Sequence, residues 1–355
     1  MPKNQAEPVK HLGQFWISTY PLSGSVFGQR QQAGATFPSA VYQAWGQEYE
    51  KATSKKVLYS PTGSGDGQKK AIAREVDFGG SDIAMSESDL AKNRLLQVPT
   101  LVGGMVPVVN LKGVAANALR LDGAVLGDIF LGKVVQWNDK AIAALNPRLA
   151  LPKLPIVRVV RSDKSGSTEA FTNYLSLQSE SFKQALGRSA LPAWPAEGSP
   201  IEKGDGNDGV VKLLREIPGA ISYVSFDRVV QQQLSSVALR NGNKDGFVEA
   251  SERAFKAAVL ASGMYKTGDE NTSLMNLPSS DAWPITLTTF VLIDANPPTA
   301  AAVQDAVQFL YWTQLSGDRV LKNSGFTPFP SAVQARFAAR LASIRPMDAT
   351  RVSLR

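Results

Sequence analysis

The sequence predicts an α/β protein in which two domains are joined by two crossing strands. Apolar, β-branched runs alternate with segments whose apolar residues recur at helical spacing, a pattern typical of parallel sheets flanked by helices. Two extended runs, 105–111 and 284–293, flank the middle of the chain. We therefore expect lobe 1 to comprise 33–106 plus 285–355 and lobe 2 to comprise 107–284, with a ligand cleft between them.

Each predicted element rests on residue spacing or residue type. Val41, Tyr42, Trp45 and Tyr49 recur at helical spacing, for example, and Pro38 suits the start of that helix. The predicted strands, which are apolar and rich in β-branched residues, are 57–60, 76–82, 105–111, 154–160, 219–224 and 284–293. The predicted helices are 39–51, 68–75, 87–96, 126–130, 139–145, 169–185, 210–216, 251–261, 300–314 and 332–344, and the Pro- and Gly-rich segment 187–204 is predicted to be a loop.

Composition favours a folded protein and excludes several kinds of catalytic site. Of the 355 residues, 43% are apolar and 19% are charged, which allows a sizeable core. The chain has no cysteine, so thiol nucleophiles and thiolate metal sites are excluded; a catalytic triad or a histidine base would have to use the one histidine, His11. The net charge of +7 is scattered without dense basic runs. We therefore expect no nucleic-acid partner, but an electric field that favours small anions.

The first residues lie outside both predicted domains. Residues 1–32 combine a polar start, a short aromatic patch and a Gly/Ser stretch, and we expect them to form an N-terminal extension. No apolar run reaches membrane-spanning length, and no signal peptide is expected at the start of the chain.

The stretch from Arg161 to Thr168 combines several features of an anion site. It follows the apolar strand 154–160 and precedes a predicted helix, and a helix start presents free backbone N–H groups and partial positive charge. The loop adds hydroxyls, a glycine that allows close backbone approach, and an arginine whose fork suits phosphate or carboxylate oxygens. An ordinary capped helix with a solvated arginine is the alternative.

Three other loops carry polar groups at the ends of strands or the starts of helices. The glycine-rich turn 63–67 follows strand 57–60 and opens a helix, although it lacks the spacing of a Walker A loop. Thr36 and Phe37 offer a hydroxyl and backbone N–H groups at another helix start. Asp82 ends a strand, a place where a lone aspartate is more often a helix cap or turn former than a site.

The segment 241–252 approximates the spacing of a calcium loop. Its first position is Asn241 rather than aspartate, it has only three carboxylates, and a strand precedes it in place of a helix. We therefore expect a plain turn before the helix 251–261, with a calcium loop as the less favoured alternative.

Four short motifs occur in order: Gly34-Ala35-Thr36-Phe37-Pro38, Gly63-Ser64-Gly65, Asp77-Phe78-Gly79-Gly80-Ser81-Asp82 and Arg161-Ser162-Asp163-Lys164-Ser165-Gly166-Ser167. The stretches 128–133, 137–139, 206–210 and 219–224 support them. The ordered set resembles the phosphate-binding proteins of bacterial phosphate ABC transporters, over residues from about 33 to about 335. Each motif alone is weak, whereas their order and spacing are specific.

This resemblance implies a two-lobed periplasmic-binding-protein fold that closes around one phosphate and hands it to a membrane permease. It implies a periplasmic monomer that is not an enzyme and has no catalytic residue, metal or cofactor. The residues carried over by motif are Thr36, Phe37 (through its backbone N–H), Ser64, Asp82, Arg161, Ser165, Gly166 and Ser167. Asp82 would accept the proton that phosphate still carries, Arg161 would form the salt bridge, and the others would donate hydrogen bonds.

Two residues depart from the family pattern. Ser167 stands where threonine is expected, a change that keeps the hydroxyl. Asp66 lies in a loop usually filled by small or neutral residues, and a carboxylate near an anion site would weaken binding unless it points to solvent.

Two other functions remain open at this point. A phosphatase on the same scaffold would need a nucleophile with a base, or a metal cluster, and neither is visible in the sequence. A binding protein for another tetrahedral anion such as sulfate is disfavoured by Asp82, because fully ionised sulfate has no proton to give the carboxylate.

Overall fold

The computed structural model describes residues 31–269 and 272–354. His11 and most of the predicted extension lie outside the described residues. The strands are β1 Gln32–Gly34, β2 Tyr59–Pro61, β3 Phe78–Ser81, β4 Leu95–Val109, β5 Arg120–Leu121, β6 Val157–Arg161, β7 Ile201–Gly204, β8 Ala220–Ser225, β9 Ser235–Ser236, β10 Ala238–Arg240, β11 Phe247–Val248, β12 Thr286–Asp294 and β13 Phe326–Thr327.

The helices in the same ranges match most of the predicted ones. They are α1 Ser39–Thr53, α2 Ser64–Ala73, α3 Glu87–Asn93, α4 Gly123–Phe130, α5 Lys140–Leu145, α6 Gly166–Gln178, α7 Glu180–Ala185, α8 Gly206–Glu216, α9 Phe226–Gln232, α10 Glu252–Ala261, α11 Gly263–Lys266, α12 Gln304–Ser316, α13 Asp318–Leu321 and α14 Ser331–Leu341, with a 3₁₀ turn at Ala300–Ala302. Among the described helices, none combines the length and apolar character that crossing a bilayer requires.

One sheet runs through the molecule in the strand order β2-β1-β3-β12-β4-β8-β6-β7. β1 pairs in parallel with β2 and β3, and β6 pairs in parallel with β7 and β8. The prediction of parallel pairing throughout the sheet is wrong for the two crossing strands. β12 is antiparallel to β3 and β4, and β4 is antiparallel to β8. β5, β10 and β11 form a separate small sheet.

The crossing strands support the proposed division into lobes. β4 pairs with β12 through its first part and with β8 through its last part, so one continuous strand serves both halves of the sheet. The chain crosses a second time just before β12, where the backbone N–H of Met105 donates to the carbonyl of Ile285 at 2.9 Å. We keep 33–106 plus 285–355 as lobe 1 and 107–284 as lobe 2, although β1 already begins at Gln32.

Two of the differences from the predicted elements have clear reasons. The predicted loop 187–204 ends in the edge strand β7, which the pattern missed because only Gly204 of its four residues is buried. The predicted helix 169–185 is two helices, α6 and α7. Ser179 has extended backbone, and its hydroxyl accepts the N–H of Phe182 to cap the second helix.

The apolar core continues through both lobes and includes three fully buried tryptophans, Trp45, Trp137 and Trp283. Each indole N–H donates to a backbone carbonyl, at 3.0, 2.9 and 2.9 Å respectively. These bonds allow large aromatic groups to be buried without leaving a polar group unpaired.

Glycines allow the start of α2 to pack closely against the sheet. A Cβ atom placed on Gly67 would lie 2.2 Å from the carbonyl oxygen of Gly80 and 2.7 Å from Cα of Gly34. Both neighbours are backbone atoms that cannot rotate away, so this close packing requires glycine. It also sets Ser64, at the start of α2, beside the end of β3.

Gly67→Ala should lower the free energy of unfolding by about 1–3 kcal/mol, because the added methyl group forces α2 away from β1 and β3. Denaturant unfolding measures this change. Lys69→Ala, at an exposed position of the same helix, is the control and should stay within about 0.5 kcal/mol of the parent. Equal stability of the two variants would contradict this packing account.

Candidate functional site

The eight predicted site residues lie at strand ends and helix starts on the edge where the two lobes meet. Thr36 and Phe37 follow β1, Ser64 begins α2, Asp82 follows β3, Arg161 ends β6, and Ser165, Gly166 and Ser167 cap and open α6. Parallel strands with polar loops at their carboxyl ends are the usual position of a ligand site in α/β sheets.

The structure brings the start of α6 against the lobe 1 loops. A Cβ atom on Gly166 would lie 2.5 Å from Oγ of Ser64 and 2.6 Å from Cβ of Asp82. A second contact joins Thr36 to lobe 2, where Nδ2 of Asn207 donates to the Thr36 hydroxyl at 3.1 Å. These contacts bring together Ser64, Asp82 and Gly166, which come from three separate motifs, and place Thr36 beside Asn207 of lobe 2.

Asp82 is half-buried, and its carboxyl group has polar neighbours on several sides. Its Oδ1 accepts a 2.6 Å hydrogen bond from the Thr289 hydroxyl, and its Oδ2 lies 3.5 Å from the Ser64 hydroxyl. The backbone N–H of Asp82 also donates to Ser64 Oγ at 3.1 Å. Burial raises the pKa of Asp82 to about 7, although hydrogen bonds from Thr289 and Ser64 and the charge of Arg161 oppose this rise.

Arg161 is buried and held rigidly by a neighbouring carboxylate. Its Nε and Nη2 atoms donate to the two oxygens of Asp163 at 2.7 and 2.5 Å, while its Nη1 is buried without a hydrogen-bond partner. Burial alone would raise the pKa of Asp163, but the bonds from Arg161 outweigh it and keep that pKa below its usual range. Asp163 thus holds the guanidinium in place through Nε and Nη2, while Nη1 is available to bind an anion.

The start of α6 adds further donors. Ser165 caps the helix by accepting the N–H of Thr168 at 3.2 Å. The Ser167 hydroxyl is buried and has no partner within the described residues. Among the described residues, the backbone N–H groups of Phe37, Gly166 and Ser167 make no hydrogen bond with another protein group. Such groups at a helix start favour an anion.

Phe37 has a second, structural role. Its ring is fully buried and packs edge-to-face against Phe326, with ring centroids 5.0 Å apart. This packing holds the backbone of Phe37 in place.

Three residues around the site were missed by sequence reasoning. Asn207 belongs to a stretch that supported the family resemblance, and Asp163 lies within the Arg161 motif, so both had a weak signal. Thr289 sits in an apolar, β-branched strand that gave no sign of a polar role. The structure identifies all three through their contacts with Thr36, Arg161 and Asp82.

Asp66, which departs from the family pattern, is paired with a cation. Its Oδ2 lies 2.8 Å from Nζ of Lys70, one helical turn later. Burial would raise the pKa of Asp66, but the hydrogen bonds from Lys70 and Thr62 outweigh it and lower that pKa. The lysine charge offsets the carboxylate, so Asp66 opposes an anion less than its position in the sequence suggests.

The segment that approximates a calcium loop forms a hydrogen-bonded turn. Asn241 donates to Oδ1 of Asp245 at 2.7 Å, and the Ser280 hydroxyl donates to Oδ2 of Asp245 at 3.0 Å. The carboxylate is thus satisfied by protein donors. Across residues 31–269 and 272–354, no group of three or more His, Cys, Asp and Glu side chains is arranged to hold a metal ion.

Comparison with known proteins agrees with this geometry. Residues 21–314 match the model of the PBP superfamily domain. The chain is 38% identical over 309 residues to the phosphate-binding protein PstS of Pasteurella multocida, covering 87% of this chain and 88% of that protein. It is 37% identical to the protein of the same name from Xylella fastidiosa, covering 88% of this chain and 84% of that one.

Solved structures support the fold. A high-affinity periplasmic phosphate-binding protein, PfluDING, bound with phosphate, aligns with a TM-score of 0.67 at 21% identity, covering 88% of this chain and 93% of that one. A putative phosphate ABC transporter substrate-binding protein from Clostridium perfringens aligns with a TM-score of 0.58 at 16% identity, covering 84% and 99%. The predicted two-lobed binding-protein fold is confirmed, and the chain belongs to the PstS family of phosphate-binding proteins within the PBP superfamily.

Proposed function

We propose that this chain binds inorganic phosphate with high affinity between its lobes and delivers it to the permease of a phosphate ABC transporter. Family membership supports this role, because relatives at 36–38% identity over most of the chain are named phosphate-binding proteins. The observation that carries the proposal is the half-buried carboxyl group of Asp82, whose pKa burial raises to about 7, together with the unpaired donors Nη1 of Arg161 and the Ser167 hydroxyl. The ligand that suits such a site is an anion that still bears a proton.

The proposed roles follow the hydrogen-bonding capacity of each group. Nη1 of Arg161 supplies a charge-assisted bond, and the start of α6 supplies backbone and hydroxyl donors. Lobe 1 supplies the remaining donors and the one acceptor. The proposed ligands are Thr36, Phe37, Ser64, Asp82, Arg161, Ser165, Gly166 and Ser167, and Ser167 keeps the hydroxyl that threonine would offer.

The energetics favour a cage of this kind. A dehydrated anion must recover from the protein the hydrogen bonds it had with water, or it does not bind. Micromolar affinity corresponds to about 8 kcal/mol, which several charge-assisted bonds in a closed cleft can supply. The lobes would open and close by a hinge motion across β4 and β12.

Asp82 gives the site its selectivity in this proposal. An ionised Asp82 accepts the phosphate proton, whereas sulfate would set a negative oxygen against an unpaired carboxylate. A buried mismatch of that kind costs several kcal/mol, on the order of a thousandfold in affinity.

We further propose that the protein acts in the periplasm as a monomer, with phosphate and the permease as its partners and without nucleic acid. It would act as a binding protein rather than as a phosphatase, since the site residues serve as donors and a proton acceptor around an intact anion. The names of the relatives support binding over catalysis.

Calorimetry of the phosphate-stripped protein tests this function directly. Phosphate and its analogue arsenate should bind with micromolar or tighter affinity, about a thousandfold above sulfate near pH 8. Sulfate binding as tightly as phosphate, or no binding of either anion, would overturn the proposal.

Arg161→Ala should weaken phosphate binding by at least about 2 kcal/mol, or about thirtyfold, because the cage loses its charge-assisted donor. Calorimetry gives the affinity, and circular dichroism verifies that the variant is folded despite the loss of the Asp163 pair. Arg148→Ala, at an exposed position of lobe 2, is the matched control and should bind as the parent does. A folded Arg161→Ala protein with unaltered affinity would remove this residue from the site.

Asp82→Asn should narrow the gap between phosphate and sulfate by about tenfold or more, because the amide can donate to an unprotonated oxygen. Competition calorimetry with the two anions measures the gap. Asp139→Asn provides the control, since Asp139 caps α5 and asparagine caps helices equally well. Unchanged selectivity in Asp82→Asn would count against the proposed proton acceptor.

A further inference from the structure

Thr289 lies in the buried crossing strand β12, opposite the end of β3. Phe290 pairs with Ser81 in the antiparallel register of these strands, so the next position along sets Thr289 against Asp82. The pairing of β12 with β4 is irregular here: Thr289 pairs with Leu101 and Phe290 with Pro99, so the extra residue, Thr100, lies on β4. The Thr289 hydroxyl donates to Asp82 Oδ1 at 2.6 Å.

This contact makes the two oxygens of Asp82 unequal. Oδ1 is committed to Thr289. Oδ2 lies on the other side, 3.5 Å from the Ser64 hydroxyl and 3.1 Å from the point where a Cβ atom on Gly166 would sit. Oδ2 is therefore the oxygen directed at the cleft and at the start of α6.

We propose that Thr289 is a specificity-determining positioning residue: its hydroxyl fixes Asp82 with Oδ2 towards the ligand and stabilises the ionised carboxylate that rejects anions without a proton. The inference rests on the proposed phosphate function and assigns Thr289 no direct contact with the ligand. A hydrogen bond donated to a carboxylate favours its charged form, so the same bond that orients Asp82 also keeps it an acceptor.

Among the groups around Asp82, Thr289 contributes most to keeping the carboxylate ionised. Burial favours the neutral acid, and Thr289 provides the strongest opposing influence on the pKa, ahead of the charge of Arg161 and the hydroxyl of Ser64. Glu169, on α6, acts in the direction of burial and is itself paired with Arg188 through a 2.6 Å bond. Burial raises the pKa values of the Tyr42 and Tyr59 phenols, and the charge of Asp82 raises them further, although their hydroxyls bond to Thr100 and to the Ala35 carbonyl.

A pH dependence follows from these contacts. Below about pH 7 Asp82 holds its own proton and can donate it to sulfate, so sulfate affinity should rise as the pH falls through that value. Phosphate is less affected, because a single proton between Asp82 and phosphate satisfies the contact whichever group brings it. Without Thr289 the pKa of Asp82 rises further, so the sulfate transition should move to higher pH.

The test is calorimetry of sulfate and phosphate with the parent protein and with Thr289→Val, from about pH 5.5 to 9. In Thr289→Val the midpoint of sulfate binding should move up by about one pH unit or more, which makes sulfate binding at pH 8 at least about fivefold tighter. Thr289→Ser keeps the hydroxyl and should restore the parent profile. A role in packing alone would change stability without moving the midpoint.

Thr288→Val is the matched control on the same strand. The Thr288 hydroxyl is buried without a hydrogen-bond partner in the described ranges, so its loss should leave the sulfate midpoint in place.

Thr289→Ala repeats the experiment if the valine variant does not fold. ¹³C NMR of the Asp82 carboxyl measures its pKa directly in the parent protein and in each variant. A folded Thr289→Val or Thr289→Ala protein with the parent midpoint would overturn the inference, as would an Asp82 pKa that is the same in either of these variants as in the parent. If the parent binds no phosphate, the proposed function itself fails, so the two failures are distinguishable.

Discussion

A carboxyl group that is half-buried where two lobes meet needs hydrogen-bond donors around it. Asp82 is raised to a pKa of about 7 by burial, and its charge is tolerated only because donors lie on several sides. Thr289 approaches from a crossing strand, Ser64 from the start of α2, and Arg161 from lobe 2. No single segment of the chain supplies this environment, so the site depends on the correct relative position of the two lobes.

The fold delivers those groups through backbone packing. Glycines let the start of α2 lie directly on β1 and β3, which sets Ser64 beside Asp82. Gly166 allows α6 to approach the same pair, and a side chain there would collide with both. Arg161 is held by Asp163, so its free end is positioned before any ligand arrives. Preorganisation of this kind lowers the entropic cost of binding.

The sequence predicted the strand ends and helix starts that carry the proposed site residues. Arg161, Asp82 and the polar loops stand at strand ends, and strand ends follow from hydrophobic pattern and turn residues. The parallel pairing within each lobe was predicted correctly from the alternation of strands and helices. Edge strand β7 was missed because a half-exposed strand has no apolar run, and antiparallel pairing of β4 and β12 cannot be read from periodicity, which reports burial rather than direction.

The residues missed by sequence act through distant partners. Thr289 meets Asp82 only because β12 returns beside β3, and Asn207 meets Thr36 only across the cleft. A threonine in a β-branched strand is ordinary by type, so its role depends on the neighbour that the fold provides.

A crystal structure of the protein grown with phosphate addresses the central claim most directly. The account predicts one phosphate between the lobes, with one oxygen in hydrogen-bond contact with Oδ2 of Asp82 and another with Nη1 of Arg161. A cleft without phosphate at saturating concentration, or a phosphate bound away from both residues, would contradict it.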